Sequence, residues 1–197
     1  MSEDTVVRCC APTLAGIKTG SIFNCDFTDR AEMTQSLRMI NRCLIQNGAC
    51  AIPLKYKNGK ALIYLYRPHM LDRDLNDPLA SRILTRCGYP EGETNRRIAY
   101  LIKRFSEYES FPHEIGLFLG YPAVDVRGFM EHGECKCTGM WKVYESDVEA
   151  AKRVFARCSH CTKAYIQRKN EGWSLSRLTI KPRQFSYNNN TEGGKTA

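Results

Sequence analysis

The spacing of apolar side chains divides the chain into segments of different period. Between residues 14 and 23, small and β-branched residues follow one another without a helical repeat, which predicts a strand softened by Gly16 and Gly20. From about 29 to 47 the period is helical: Met33, Leu37, Ile40 and Leu44 fall on one face, a Thr28/Asp29 cap with Glu32 opens the segment, and Gly48 closes it. Residues 49–56 and 60–66 read as strands around Asn58-Gly59, the preferred pair for a two-residue hairpin turn. Pro53 cannot donate to a ladder, so the first of these strands is an edge or is bulged there. The second sets Ile63 and Leu65 against Tyr64 and Tyr66, as a strand covered on both faces requires.

Residues 68–131 read as a helical block punctuated by Pro68, Pro78, Pro90, Pro112 and Pro122, each where a helix can start. A short strand is predicted over 139–144, a helix from the Ser146-Asp147-Val148-Glu149 box to about 158, and a strand over 162–168. Trp173 to Ile180 returns the chain to the body, and residues 181–197 are polar enough to predict a disordered tail. The order predicts an α+β fold: a mixed β-sheet packed with helices, with a helical insertion between the central hairpin and a C-terminal strand–helix–strand. We take residues 1–180 as one domain, with the helical lobe at about 68–131.

Composition narrows the functional classes. At 197 residues, the chain can bury a core without disulfides or metals as a necessity. No apolar run is long enough to span a bilayer, and the acidic Met1-Ser2-Glu3-Asp4 start is unlike a secretion signal, so a cytoplasmic protein with no membrane partner is expected. In that setting the 10 cysteines are thiols, metal ligands or redox groups rather than disulfides. Cys43, Cys50 and Cys87 stand alone among apolar neighbours and read as core thiols, with Cys25 undecided. The net charge of +8 lies mostly in residues 136–197, which hold 12 Lys and Arg against 5 Asp and Glu. Such a basic end suits phosphate groups, although no long run of like charge occurs.

Two constellations carry candidate chemistry. Cys135-Lys136-Cys137 and Cys158-Ser159-His160-Cys161 offer four thiolates for zinc or an iron–sulfur cluster, with Cys10 or Cys161 completing the site and Cys158 or His160 as alternates. The same Cys135/Cys137 pair suits reversible dithiol chemistry with a redox partner protein, since Lys136 between the thiols favours thiolate. The second is Phe111 to Val126. His113 and Glu114 pair an imidazole with an acid, which suits proton transfer in an enzyme or, more plainly, a helix start. Residues 113–131 also have helix-turn-helix spacing, which makes nucleic acid an alternative partner, but Arg127 is the only base in residues 123–131. No P-loop, dinucleotide or nucleophile-elbow pattern occurs.

Five stretches together resemble a family of uncharacterised bacterial proteins that is frequent in anaerobes. They are Cys10 to Gly20, Leu65-Tyr66-Arg67-Pro68, Phe111 to Pro122, Asp125 to Phe129, and Cys135 to Gly139 with Trp141-Lys142-Val143-Tyr144. The resemblance spans about residues 8–180. It implies a redox or metal role for Cys10, Cys135 and Cys137, and it brings no catalytic residue with it.

Overall fold

The computed structural model describes residues 1–107 and 111–182. The tail expected over 181–197 lies outside the described residues from 183 onward. The chain opens with a helix, α1 (Glu3–Leu14), which the sequence did not signal and which ends at the residue where a strand over 14–23 was expected to begin. Ser2 caps it by accepting from the Thr5 amide, and Glu3 and Asp4 sit in its first turn, where the helix dipole favours them. Pro12 is tolerated near its end. The strand itself, β1 (Gly20–Asp26), begins only after the Gly16 turn.

The next elements follow the sequence closely. In α2 (Arg30–Ile45), Asp29 accepts from the Glu32 amide at 2.8 Å, and Glu32 reaches back to the Thr28 amide at 2.6 Å. β2 (Cys50–Lys57) and β3 (Lys60–Tyr66) form the hairpin, with Asn58 and Gly59 both at positive φ. The register slips between Pro53 and Lys55, so the proline falls on a bulged edge strand. The sheet order is β1-β3-β2, and every pairing is antiparallel. The α+β class therefore holds, but the sheet is not mixed: α2 crosses from β1 to β2, and β3 returns between them, antiparallel to both.

β3 is buried on both faces and divides the interior in two. Ala61, Ile63 and Leu65 join α1, α2 and the C-terminal turn in one core, with Val6, Leu14, Leu37, Leu44 and Leu175. Tyr64 and Tyr66, stacked at 4.7 Å, join the other with Leu71, Leu84, Leu101 and Phe118. That second core belongs to the helical block: α3 (Pro68–Leu75), α4 (Pro78–Arg86), α5 (Thr94–Glu107), α6 (Ile115–Phe118) and α7 (Ala123–Met130). Pro68 and Pro78 sit in the first turns as expected and Pro122 is an N-cap, but α5 and α6 start beyond Pro90 and Pro112. The Tyr64 hydroxyl donates to the Phe118 carbonyl at 2.6 Å, tying this layer to the sheet.

After α7 a two-residue ribbon pairs β4 (Cys137–Thr138) with β5 (Lys142–Val143), shorter than the strand expected over 139–144. Asp147, not Ser146, caps the long α8 (Val148–Asn170). This helix runs through the stretch expected as a strand at 162–168, because Ala151, Cys158 and Cys161 keep one buried stripe that packs along α1. A last turn, α9 (Leu175–Leu178), forms in the segment expected to return to the body, and the Ile180 amide reaches the Leu14 carbonyl at 3.0 Å.

Candidate functional site

The cysteines do not assemble as their spacing predicts. Cys135 is exposed; its Sγ lies 3.4 Å from the Cys137 carbonyl and 3.6 Å from Thr138 Oγ1. Cys137 is half-buried on β4. Cys158 and Cys161 lie one turn apart on the α1-facing stripe of α8 and are buried, while His160 points to solvent. Cys10 is fully buried on α1 beside Ser21. Burial pushes the thiols of Cys10, Cys158 and Cys161 up, Cys161 to about 11. Among the described residues no three Cys, His, Asp or Glu side chains stand together as a metal-binding group. The helical period turns one pair inward and the surface ribbon carries the other, so this donor set does not fit zinc or an iron–sulfur cluster. Cys43, Cys50 and Cys87, expected in the core, are only half-buried.

His113 and Glu114 also separate. Glu114 is 2% exposed, 2.7 Å from Arg104 Nε of α5, and accepts from the Tyr89 hydroxyl at 3.0 Å. It is a buried structural pair rather than a cap. His113 is exposed, and its ring meets the Phe129 ring at 4.9 Å between centroids.

The segment 113–131 does not form a helix-turn-helix reader. α6 is a single buried turn, and Gly120, at φ +76°, starts the reversal into α7. α7 is pinned by Asp125, whose Oδ1 accepts from the amides of Tyr144, Glu145 and Ser146 at 2.8–3.0 Å. Its Oδ2 accepts from the Ser146 hydroxyl and from Trp141 Nε1 at 2.9 Å. Burial pushes this carboxyl up, but the hydrogen bonds, led by Ser146, outweigh it and hold the group below its ordinary value. Gly128 admits the Tyr144 side chain so closely that a Cβ there would stand 2.5 Å from the tyrosine's own. Arg127, the base expected to face nucleic acid, pairs with Glu145.

Asp125 fixes Trp141, and Trp141 organises the most distinctive surface of the molecule. Its ring meets Phe155 of α8 edge-on at 4.5 Å and leans on Tyr121 at 5.5 Å. Trp141 and Tyr121 form a common wall between two clefts. One, of about 270 Å³, is apolar and lined by Ile22, Ile115, Gly116, Leu119, Val126 and Phe129, with His113 and Lys142 also contributing. The other, of about 390 Å³, is the more polar of the two and lies between the α1–β1 loop, α3, α4 and α8; Lys18, Asp74, Asp77 and Cys158 reach it. Lys18 lies with its Nζ 5.0 Å above the Tyr121 ring. Burial draws its amine down to about 8, against weaker upward effects from Cys10 and Cys158 on either side.

Neither Lys18 nor the Tyr121–Trp141 wall stands out in the sequence. The only signal is a lone lysine in a run of small and β-branched residues between Gly16 and Gly20. Four of the stretches that carry the family resemblance supply the wall and lining: Cys10 to Gly20, Phe111 to Pro122, Asp125 to Phe129, and Trp141 to Tyr144.

Residues 6–179 match the model of a family described as "Protein of unknown function (DUF3793)", and the chain belongs to that family. No curated protein and no solved structure matches it. No helix among the described residues is long and apolar enough to cross a membrane.

Proposed function

We propose that this member of a family of unknown function binds small organic molecules against the Tyr121–Trp141 wall, which serves both clefts. One observation carries the reading: an indole held by the Asp125 hydrogen bond, Phe155 and Tyr121 forms a wall of two clefts at once. A preformed, largely apolar concavity with a few polar groups at its edge is the usual form of a ligand site. The test uses a neutral probe, indole, followed through backbone amide shifts. Saturable shifts centred on Gly116, Leu119 and Val126 are expected, and Ile22→Trp, which fills the cleft, abolishes them while leaving the melting curve cooperative. Absence of saturable shifts, or shifts indifferent to Ile22→Trp, overturns the reading.

A second reading is thiol chemistry at Cys135 and Cys137, and it is favoured by their place. They are neighbours on a surface ribbon, and Cys137 pairs across to Val143 beside the cleft residue Lys142. With no third ligand, the chemistry is that of a dithiol: the two thiols together lose two electrons and two protons to an external disulfide oxidant or redox partner protein and close one S–S bond. Such a role suits a reducing, cytoplasmic setting. Brief treatment with oxidised glutathione under denaturant-free conditions is expected to remove 2 Da from the peptide spanning both cysteines. Cys135→Ser removes that change, and a glutathione adduct without ring closure in the wild type rejects the reading.

A further inference from the structure

Lys18 is a cation without a counter-ion. Its side chain is half-buried, and among the described residues no ion pair or hydrogen bond joins its amine to a protein acceptor. The two thiols beside it do not neutralise it, because burial pushes both Cys10 and Cys158 up and keeps them protonated at neutral pH. The acids of the polar cleft are already engaged. Asp74 accepts from Arg73 at 2.8 Å and from the Thr19 hydroxyl, and Asp77 accepts from the Leu79 and Ala80 amides at the start of α4. The amine therefore faces a cavity of about 390 Å³ with only an aromatic ring to stabilise its charge.

From this geometry we infer that the ligand is a small organic monocarboxylate, its carboxylate seated on Lys18 in the polar cleft and its apolar body laid against Trp141 and Tyr121. The inference rests on the ligand reading above and adds the class of ligand. A single negative charge fits because Asp74 and Asp77 on the facing wall repel a second, which disfavours phosphates and dicarboxylates. An apolar body fits because Met70, Leu117, Met140, Tyr121 and Trp141 make up much of the remaining lining. A carboxylate arriving in this half-buried place makes a charge-assisted hydrogen bond with a donor that has no other partner.

The experiment compares phenylacetate with its neutral isostere phenylacetamide and with inorganic phosphate, by calorimetric titration of the full chain. Phenylacetate is expected to bind roughly tenfold or more tightly than the amide, and phosphate not at all. Lys18→Met is expected to bring phenylacetate down to the level of the amide and leave indole binding intact. Affinity for phenylacetate falls as pH rises from 7 to 10, as Lys18 loses its proton, and affinity for the amide stays flat. The groups facing Lys18 in that range are Cys10 from α1, Tyr121 before α7, Cys158 from α8, and Arg73 and Asp74 from α3. Equal affinities for acid and amide, or a Lys18→Met variant that binds phenylacetate like the wild type, overturn the inference while indole binding preserves the ligand reading. Loss of indole binding as well rejects both.

Discussion

Among the described residues Arg67 and Lys18 are both withdrawn from water without an acidic partner, and the chain treats them in opposite ways. Arg67, at the end of β3, is 1% exposed and donates to the carbonyls of Thr13 at 2.6 Å, Leu14, Asn47 at 3.4 Å and Ile180 at 2.8 Å. Thr13 and Leu14 close α1, so the negative end of that helix dipole faces the guanidinium. Lys18, four residues beyond Leu14, has a cavity in front of it instead of carbonyls. A cation that donates to four backbone carbonyls holds the architecture together. A cation whose donors face empty space costs stability and marks a place where something else is meant to bind.

The largest expected effect breaks the first half of that comparison. Arg67→Met takes a donor from four carbonyls, of which those of Thr13 and Leu14 keep the Gly16 and Ile180 amides, and should cost about 3–5 kcal/mol in urea unfolding. Arg67→Lys should recover little, since an ammonium cannot reproduce the planar fork. A loss under about 1 kcal/mol in either would mean that the carbonyls find water and that Arg67 is no keystone.

Asp125 gives the anionic counterpart, a charge fully used in tying α7 to the loop before α8. Asp125→Asn should cost about 2–3 kcal/mol at pH 7. The sign with pH follows from the lowered carboxyl: its contribution is complete above the ordinary value of 3.8 and is lost as pH falls through the lower folded value. The difference between wild type and variant should therefore shrink in acid. A constant difference down to pH 2 would contradict the charged-acceptor account.

Lys18→Met should do the reverse of both and stabilise the protein by about 1 kcal/mol at pH 7, a modest figure because part of the amine still meets water. The folded amine titrates near 8 and the unfolded one near 10.5, so the wild type binds fewer protons folded than unfolded across that window and gains stability as pH climbs through it. The advantage of the methionine should fade by about pH 10.5. A variant more stable yet unable to hold phenylacetate would mark Lys18 as a binding group rather than a structural one.

Local chemistry made much of the fold legible. Asn58-Gly59 set the hairpin, the Asp29/Glu32 pair set the start of α2, and Gly88 and Gly120, both at positive φ, end helices as their sequence context predicts. Where long-range packing decides, reading failed. Ala164 and Ile166 alternate with polar neighbours as in a strand, but the stripe of Ala151, Cys158 and Cys161 finds α1, and helix wins. The same stripe explains why the cysteine spacing misled. A tetrahedral site needs side chains from two segments to converge, whereas the period of α8 turns its pair onto α1, away from the ribbon of Cys135 and Cys137. Lys18 was hidden for a related reason: the ring it lies over, Tyr121, stands 103 residues further along the chain, which no local pattern encodes.

The carbonyls around Arg67 come from residues 13, 14, 47 and 180. During synthesis the first three emerge early, with α1 and the whole sheet, while Ile180 emerges among the last described residues. Arg67 thus joins the end of α1 to a residue 113 positions beyond itself along the chain, and a contact of that sequence separation forms only once both ends of the domain are present.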